Sequence, residues 1–142
     1  MSRMLGIDYG LRKAGIALSD EGQTVAFPKG VYPSAWPGIK DTISDILAKE
    51  TVSEIVIGLP LTLEGEESDM SKKVRAFVEK LRQYFSLPIY FENESFTSKA
   101  VSASGAAPPH KIDASAAALI LQSFLDRRNQ ERGTHKKSAP LL

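Results

Sequence analysis

Apolar residues form three short strand-like segments in the first third of the chain. We predict β-strands over Met4 to Tyr9, Ala14 to Ser19 and Thr24 to Tyr32 from their apolar, β-favouring residues. The intervening stretches YGLRK and SDEGQ are rich in turn-forming residues. Connections this short join antiparallel neighbours, so the three strands are predicted to form a meander.

The middle of the chain changes from strand-like to helical spacing. Apolar residues from Trp36 to Leu47 recur at helical intervals, and the β-branched run EIVIGLP after them predicts a buried fourth strand ending at Gly58 and Pro60. A second helix is predicted after the loop LTLEGEESDM, with Ser68 or Asp69 as its cap. Its apolar face consists of Val74, Phe77, Val78, Leu81 and Phe85.

The last part of the chain predicts one more strand and two helices. The strand covers Pro88 to Asn93, and a short helix begins near residues 95–97 and breaks at Gly105. The paired prolines of APPHK cannot continue a helix, so this stretch is predicted to be a loop. The final helix is predicted from about Ile112 to Arg128.

The order of these elements predicts an α/β fold. Strands one, four and five should lie side by side in parallel, with the meander as the antiparallel half of a five-stranded mixed sheet flanked by helices. With 142 residues, 42% of them hydrophobic and 25% charged, the chain suits one domain with a single core. We predict that domain over residues 1–130, followed by a polar basic tail, 131–142, whose composition favours disorder.

Composition narrows the chemistry. The chain has no cysteine, which excludes disulfides and thiolate metal sites and leaves oxygen ligands as the leading option. It contains no apolar run of membrane-spanning length, and it opens directly on a strand pattern without a leader, so we expect a cytoplasmic protein. We expect the protein to be a monomer or a homodimer. The formal net charge of only +1 means that any nucleic-acid partner must be bound by local basic patches.

Acidic residues occur where three of these elements begin or end. Asp8 lies at the tip of the first strand, and Glu92 and Glu94 lie at the corresponding end of the fifth, which a parallel sheet brings beside the first. Alternation puts both glutamates on one face, so spacing alone does not choose between them. Asp113 opens the last helix on the stripe that packs on the sheet.

Each acid also has a purely structural interpretation. Asp8 is a common kind of turn residue, and Asp113 is favoured at a helix N-terminus by the macrodipole. If the three carboxylates converge, their repulsion favours a bound hard cation, Mg²⁺ or Mn²⁺. Such ions support hydrolytic phosphoryl transfer, so this interpretation predicts a nuclease.

Four stretches together resemble a known family: GIDYGLRKAGIALSD at residues 6–20, IVIGLPLTLEG at 55–65, NESFTS at 93–98 and KIDASAAALILQSFLD at 111–126. The chain resembles the YqgF/RuvX family, described as pre-16S rRNA nucleases and Holliday junction resolvase-like proteins. The resemblance implies a ribonuclease H-like fold and a role in maturing the 5′ end of 16S rRNA. It also implies that Asp8, Glu94 and Asp113 are the catalytic and metal-binding acids, with Glu94 chosen over Glu92.

This sequence departs from the family pattern beside the site. The family usually has Asp-Glu-Arg where this chain has Asn93, Glu94 and Ser95, and relatives carry a longer basic loop where this chain has the short segment 99–111. Candidate contacts to the substrate's phosphate backbone are Arg12, Lys13, Lys99 and Lys111. A role for His110 in proton transfer is disfavoured, because a loop histidine is ordinarily just solvated.

Three other functions fit parts of the sequence. A Holliday junction resolvase uses the same acids on branched DNA, and a non-catalytic nucleic-acid-binding module could retain them without turnover. The first hairpin also resembles the phosphate-binding DxGxxxxGxA hairpin of the actin and sugar-kinase class. Those proteins need two such domains, whereas this chain has room for one.

Overall fold

A single five-stranded sheet forms the centre of the structure, a computed structural model that describes residues 1–94 and 113–138, with the helical backbone alone for 134–138. Its strands are β1 (Arg3–Tyr9), β2 (Lys13–Ser19), β3 (Ala26–Pro33), β4 (Val52–Leu59) and β5 (Ile89–Asn93). They lie in the order β3-β2-β1-β4-β5.

The pairing of the strands is mixed. β1 to β3 form an antiparallel meander, and β4 and β5 join β1 in parallel on its other side. The predicted α/β fold with a mixed sheet is confirmed, because short turns allow only antiparallel neighbours whereas helical connections return the chain in parallel.

Three described helices cover the sheet: α1 (Gly38–Lys49), α2 (Asp69–Tyr84) and α3 (Ala114–Ser138). Ser68 caps α2, since its hydroxyl accepts from the Ser71 backbone N–H and the Ser71 hydroxyl accepts from that of Ser68. The choice left open between Ser68 and Asp69 is thus decided in favour of Ser68.

Two ends of helices differ from the prediction. Trp36 precedes α1, which begins at Gly38. α3 continues past Arg128 through Ser138, so the part of the predicted disordered tail that the structure describes, 131–138, is helical. Composition is a weak guide there, because a helix already started by packing extends at little cost. The short helix and loop predicted between residues 95 and 112 lie outside the described residues.

Each face of the sheet has its own hydrophobic cluster. α1 and α2 pack on one face, whose strand residues include Leu5, Ile7 and Ile57. α3 packs on the other through a smaller cluster that includes Met4, Val56 and Leu121. Because side chains alternate along a strand, Asp8 lies on the α3 face, as do Met4 and Gly6. The face of the sheet that α3 covers therefore holds Asp8, the first of the candidate catalytic acids.

Candidate active site

Asp8 lies at the carboxyl end of β1 and is completely buried. Burial raises its pKa to about 8, and the negative charges of Glu94 and then Asp113 contribute to the rise. The carboxyl groups of Asp8 and Glu94 lie close enough to interact directly, and this interaction also favours a proton on Asp8. In the metal-free protein, this pair of carboxyl groups therefore retains a proton at neutral pH.

Glu94 follows β5 directly and is only 8% exposed. β4 lies between β1 and β5, so the two acids meet across it. They can do so because β4 has Gly58 at this point: a Cβ there would lie 2.6 Å from Glu94 Oε1 and 2.6 Å from the Ile120 side chain. The glycine thus makes room both for the acid pair and for α3.

Asp113 immediately precedes α3, and its Oδ1 accepts a hydrogen bond from the Ala116 backbone N–H at 2.8 Å. This is an N-terminal cap, as one interpretation of the sequence proposed. The residue is also held close to the sheet, since a Cβ on Gly15 would lie 2.2 Å from its carbonyl oxygen. Gly15 is the strand partner of Asp8, so Asp113 both caps α3 and lies near Asp8.

Glu92 has a different environment, although it shares the α3 face. It is completely buried, and the Ser123 hydroxyl donates to its Oε2 at 2.7 Å while Arg127 forms an ion pair with its other oxygen. Burial raises its pKa, and the contacts with Ser123 and Arg127 oppose that rise. Glu92 therefore joins α3 to the sheet, and Glu94 is the glutamate that contacts Asp8.

The side chains of Asp8, Glu94 and Asp113 are of the kind that binds a hard cation. The acids are all oxygen donors, and the conflict among their charges is the kind that a divalent ion relieves. In the parts of the chain that the structure describes, however, no three His, Cys, Asp or Glu side chains are gathered closely enough to hold a metal ion. Asp8 and Glu94 are in contact, and Asp113 acts on them through its charge while capping α3.

The predicted phosphate contacts fall partly within the described residues. Arg12 and Lys13 are exposed at the turn between β1 and β2, within a few residues of Asp8. Lys99 and Lys111 lie outside the described residues, as do Ser95 and His110.

Within the described ranges, no helix is both long and apolar enough to span a membrane.

Comparison with known proteins identifies the family. Residues 2–127 match the RuvX family model, described as "Holliday junction resolvase". A Sulfurihydrogenibium protein named "Putative pre-16S rRNA nuclease" is 37% identical over 134 residues, covering 89% of this chain and 92% of the relative. A protein of the same name from Syntrophus aciditrophicus is also 37% identical, over 92% of each chain.

The fold has a counterpart among solved structures. Thermus thermophilus RuvC, solved in complex with a Holliday junction substrate, matches with a TM-score of 0.58 at 13% identity, covering 91% of this chain and 96% of RuvC. This likeness confirms the predicted ribonuclease H-like fold. The family match and the relatives confirm the resemblance found in the four sequence stretches: the chain belongs to the RuvX family.

Proposed function

We propose that this protein is a divalent-metal-dependent endonuclease that cleaves structured RNA in the cytoplasm and processes the 5′ end of precursor 16S rRNA. Asp8, Glu94 and Asp113 are its catalytic acids, and binding of Mg²⁺ or Mn²⁺ would draw the Asp113 carboxylate towards the contacting pair Asp8 and Glu94. The name of the relatives supports the substrate, and their similarity extends over almost the whole chain.

One observation carries the catalytic assignment: the buried carboxyl group of Asp8 lies where Glu94 and Asp113 both raise its pKa. Folding normally avoids such an arrangement, because burying like charges together costs free energy. Segments far apart in the sequence converge here, and the sheet has a glycine on the intervening strand to admit them. A site for a cation explains why the fold maintains this arrangement.

The acids would act by binding and positioning. Once ionised, Asp8 and Glu94 offer carboxylate oxygens from two strands, and Asp113 offers its carboxylate from the start of α3. These carboxylates would hold a divalent cation, which would supply activation of water and neutralisation of charge on the leaving oxygen during hydrolysis of the phosphodiester bond. Arg12 and Lys13, exposed at the neighbouring turn, would hold the phosphate backbone beside the acids.

The test compares the native protein with Asp8→Asn on a precursor 16S rRNA fragment carrying its 5′ extension. We expect cleavage with Mg²⁺ or Mn²⁺, none with EDTA, and a loss of at least about 1000-fold in Asp8→Asn. The variant is purified identically, so that a contaminating nuclease would appear equally in both samples. Cleavage by the variant at the native rate would refute the assignment.

A second candidate, cleavage of four-way DNA junctions, is favoured by the description of the family model that matches residues 2–127. The same experiment therefore includes a four-way DNA junction and a linear DNA duplex that contains the sequences of the junction's arms. Selective cleavage of the junction with no cleavage of the rRNA fragment would replace the first substrate. Metal binding without cleavage of either would indicate a non-catalytic nucleic-acid-binding module.

A further inference from the structure

A pocket of about 270 Å³ lies on the other face of the sheet from Asp8, between the end of β1 and α2. Tyr9, which follows Asp8 directly, forms part of its wall, and so does Leu11 in the turn that also contains Arg12. The pocket therefore lies beside the candidate active site without sharing any of its acids. Its remaining walls come from the segment before α1 and from α2.

Aromatic rings form much of this pocket. Tyr9 stacks on Phe77, with ring centroids 4.2 Å apart, and Trp36 meets Phe77 edge-on at 6.4 Å. Phe77 is buried in the core and fixes the other two rings, whereas Trp36 and Tyr9 remain partly exposed. The result is a rigid aromatic surface open to solvent, of the kind on which unpaired bases stack.

The charge around the pocket is positive. Lys73 and Lys80 of α2 line it, and the ammonium group of Lys80 lies 5.6 Å from the centre of the Trp36 ring. Among the described residues, no acidic side chain lines the pocket, and neither lysine forms an ion pair with a described acid. Two lysines beside an aromatic surface combine the two features with which proteins bind single-stranded nucleic acid.

Ser34 adds a specific polar group. It is only 4% exposed, lines the pocket, and its hydroxyl has no hydrogen-bond partner among the described residues. Its backbone N–H donates to the carbonyl of Arg12, which fixes the residue relative to the turn beside Asp8. Buried hydroxyl groups usually have a partner, so this one leaves an unused hydrogen-bonding group at the wall of the pocket.

We propose that this pocket binds an unpaired nucleotide of the RNA that the enzyme cleaves. The base packs against Trp36 and Tyr9, Lys73 and Lys80 contact the adjoining phosphates, and the Ser34 hydroxyl bonds to a polar atom of the nucleotide. At about 270 Å³ the pocket suits one base, and a double helix is too wide to enter it. The inference rests on the proposed function and narrows its substrate to RNA with a single-stranded flank beside the cut.

The binding test avoids cleavage by using the full chain in EDTA. Trp36 is the only tryptophan, so its fluorescence reports on the pocket directly. We expect saturable quenching by a single-stranded RNA of about ten nucleotides, a length typical of such binding sites. A blunt RNA duplex of the same length should leave the fluorescence almost unchanged.

Variants connect the signal to the pocket. The double variant Lys73→Ala/Lys80→Ala should weaken single-strand binding about 10-fold and lower the slope of log affinity against log salt by about 1.4, since each phosphate contact contributes roughly 0.7. Lys72→Ala is the matched control, because Lys72 is exposed on the same helix but does not line the pocket. Trp36→Leu, followed by fluorescence anisotropy of labelled RNA, should also weaken binding about 10-fold, and Trp36→Phe should weaken it less.

The outcomes separate this inference from the proposed function. Binding with the expected variant effects supports the pocket even if no RNA is cleaved with Mg²⁺. Cleavage together with no change in Trp36 fluorescence overturns the pocket and leaves the nuclease proposal standing. Equal quenching by the duplex, or an equal loss of binding in Lys72→Ala, also overturns the pocket.

Discussion

At the scale of the residue, the protonation state of Asp8 links stability to the candidate function. Its pKa is raised to about 8 by burial and by Glu94 and Asp113, so the folded protein without metal holds a proton that the unfolded chain releases above about pH 4. The folded state therefore binds more protons between these two values, and stability from this group declines as the pH rises through that window.

This linkage predicts that Asp8→Asn stabilises the metal-free protein. The amide has no charge to desolvate, so at pH 8 in EDTA we expect the free energy of unfolding to rise by about 1–3 kcal/mol. Urea unfolding of both proteins at pH 4 and pH 8 measures the effect. The gain should be much smaller at pH 4, where Asp8 is protonated in the folded protein and close to half protonated in the unfolded chain, and a gain equal at both pH values would contradict the assigned cause.

The two glutamates of the β5 segment should respond differently to the same substitution. Glu94→Gln removes a charge in contact with Asp8 and should reduce cleavage at least about 100-fold. Glu92→Gln, the matched control, keeps an oxygen for the Ser123 hydroxyl and should retain cleavage within a few-fold. Rates on one RNA substrate, compared at equal folded fraction from urea unfolding, measure both variants. A larger loss in fully folded Glu92→Gln would reverse the roles assigned to the two glutamates.

At the scale of the element, the site depends on how closely α3 approaches the sheet. Asp113 begins α3 against Gly15 of β2, and Gly58 of β4 leaves space for Glu94 and Ile120. Two contacts farther along α3 hold it down: Arg127 pairs with Glu92, and Arg128 pairs with the largely buried Glu54. The sequence predicted the helix and its apolar stripe, but it did not indicate that these ion pairs cross to the sheet.

Gly15→Ala should disturb both packing and activity. Its Cβ would lie 2.2 Å from the Asp113 carbonyl oxygen, a backbone atom that moves only if α3 moves. We expect a loss of about 1–3 kcal/mol in unfolding free energy and a loss of cleavage larger than the fraction unfolded explains. Thermal unfolding and cleavage at a temperature well below the transition separate the two effects.

Gly38→Ala is the control for this substitution. A Cβ at Gly38, at the start of α1, meets nothing within 4 Å, so stability should be unchanged or rise slightly. Full stability and activity in Gly15→Ala would show that α3 tolerates a displacement and that the position of Asp113 does not matter.

At the scale of the whole molecule, the acids lie at the carboxyl end of parallel strands from both halves of the chain. A cation bound there should hold β1, the β5 segment and α3 together, so it should stabilise the folded state by mass action. At 100 times its dissociation constant, Mg²⁺ or Mn²⁺ should add about 2.7 kcal/mol.

Differential scanning calorimetry over a series of Mn²⁺ concentrations tests this stabilisation. The transition temperature of the native protein should rise with concentration, and that of Asp8→Asn should stay nearly constant. K⁺ at matched ionic strength controls for screening. A rise of equal size in the variant would place the ion elsewhere.

The sequence by itself determined the sheet, most helix positions and the family, because strand and helix periods are local and the four stretches are specific. It brought Asp8 and Asp113 to the correct strand end and helix start. It could not by spacing distinguish Glu92 from Glu94, since both occupy one face of β5. The resemblance pointed to Glu94, but only the tertiary structure showed how the surroundings of the two glutamates differ, because the neighbours of a buried carboxyl come from β4 and α3, far away in the chain.

The aromatic–basic pocket was likewise decided only by tertiary structure. Trp36 was assigned by its spacing to α1, yet it lies before that helix and packs against Phe77 of α2. Tyr9, Ser34 and Lys80 come from three separate segments, so no local sequence pattern predicts that they line one pocket. A local period determines which way a side chain faces, whereas the packing of distant segments determines what it meets there.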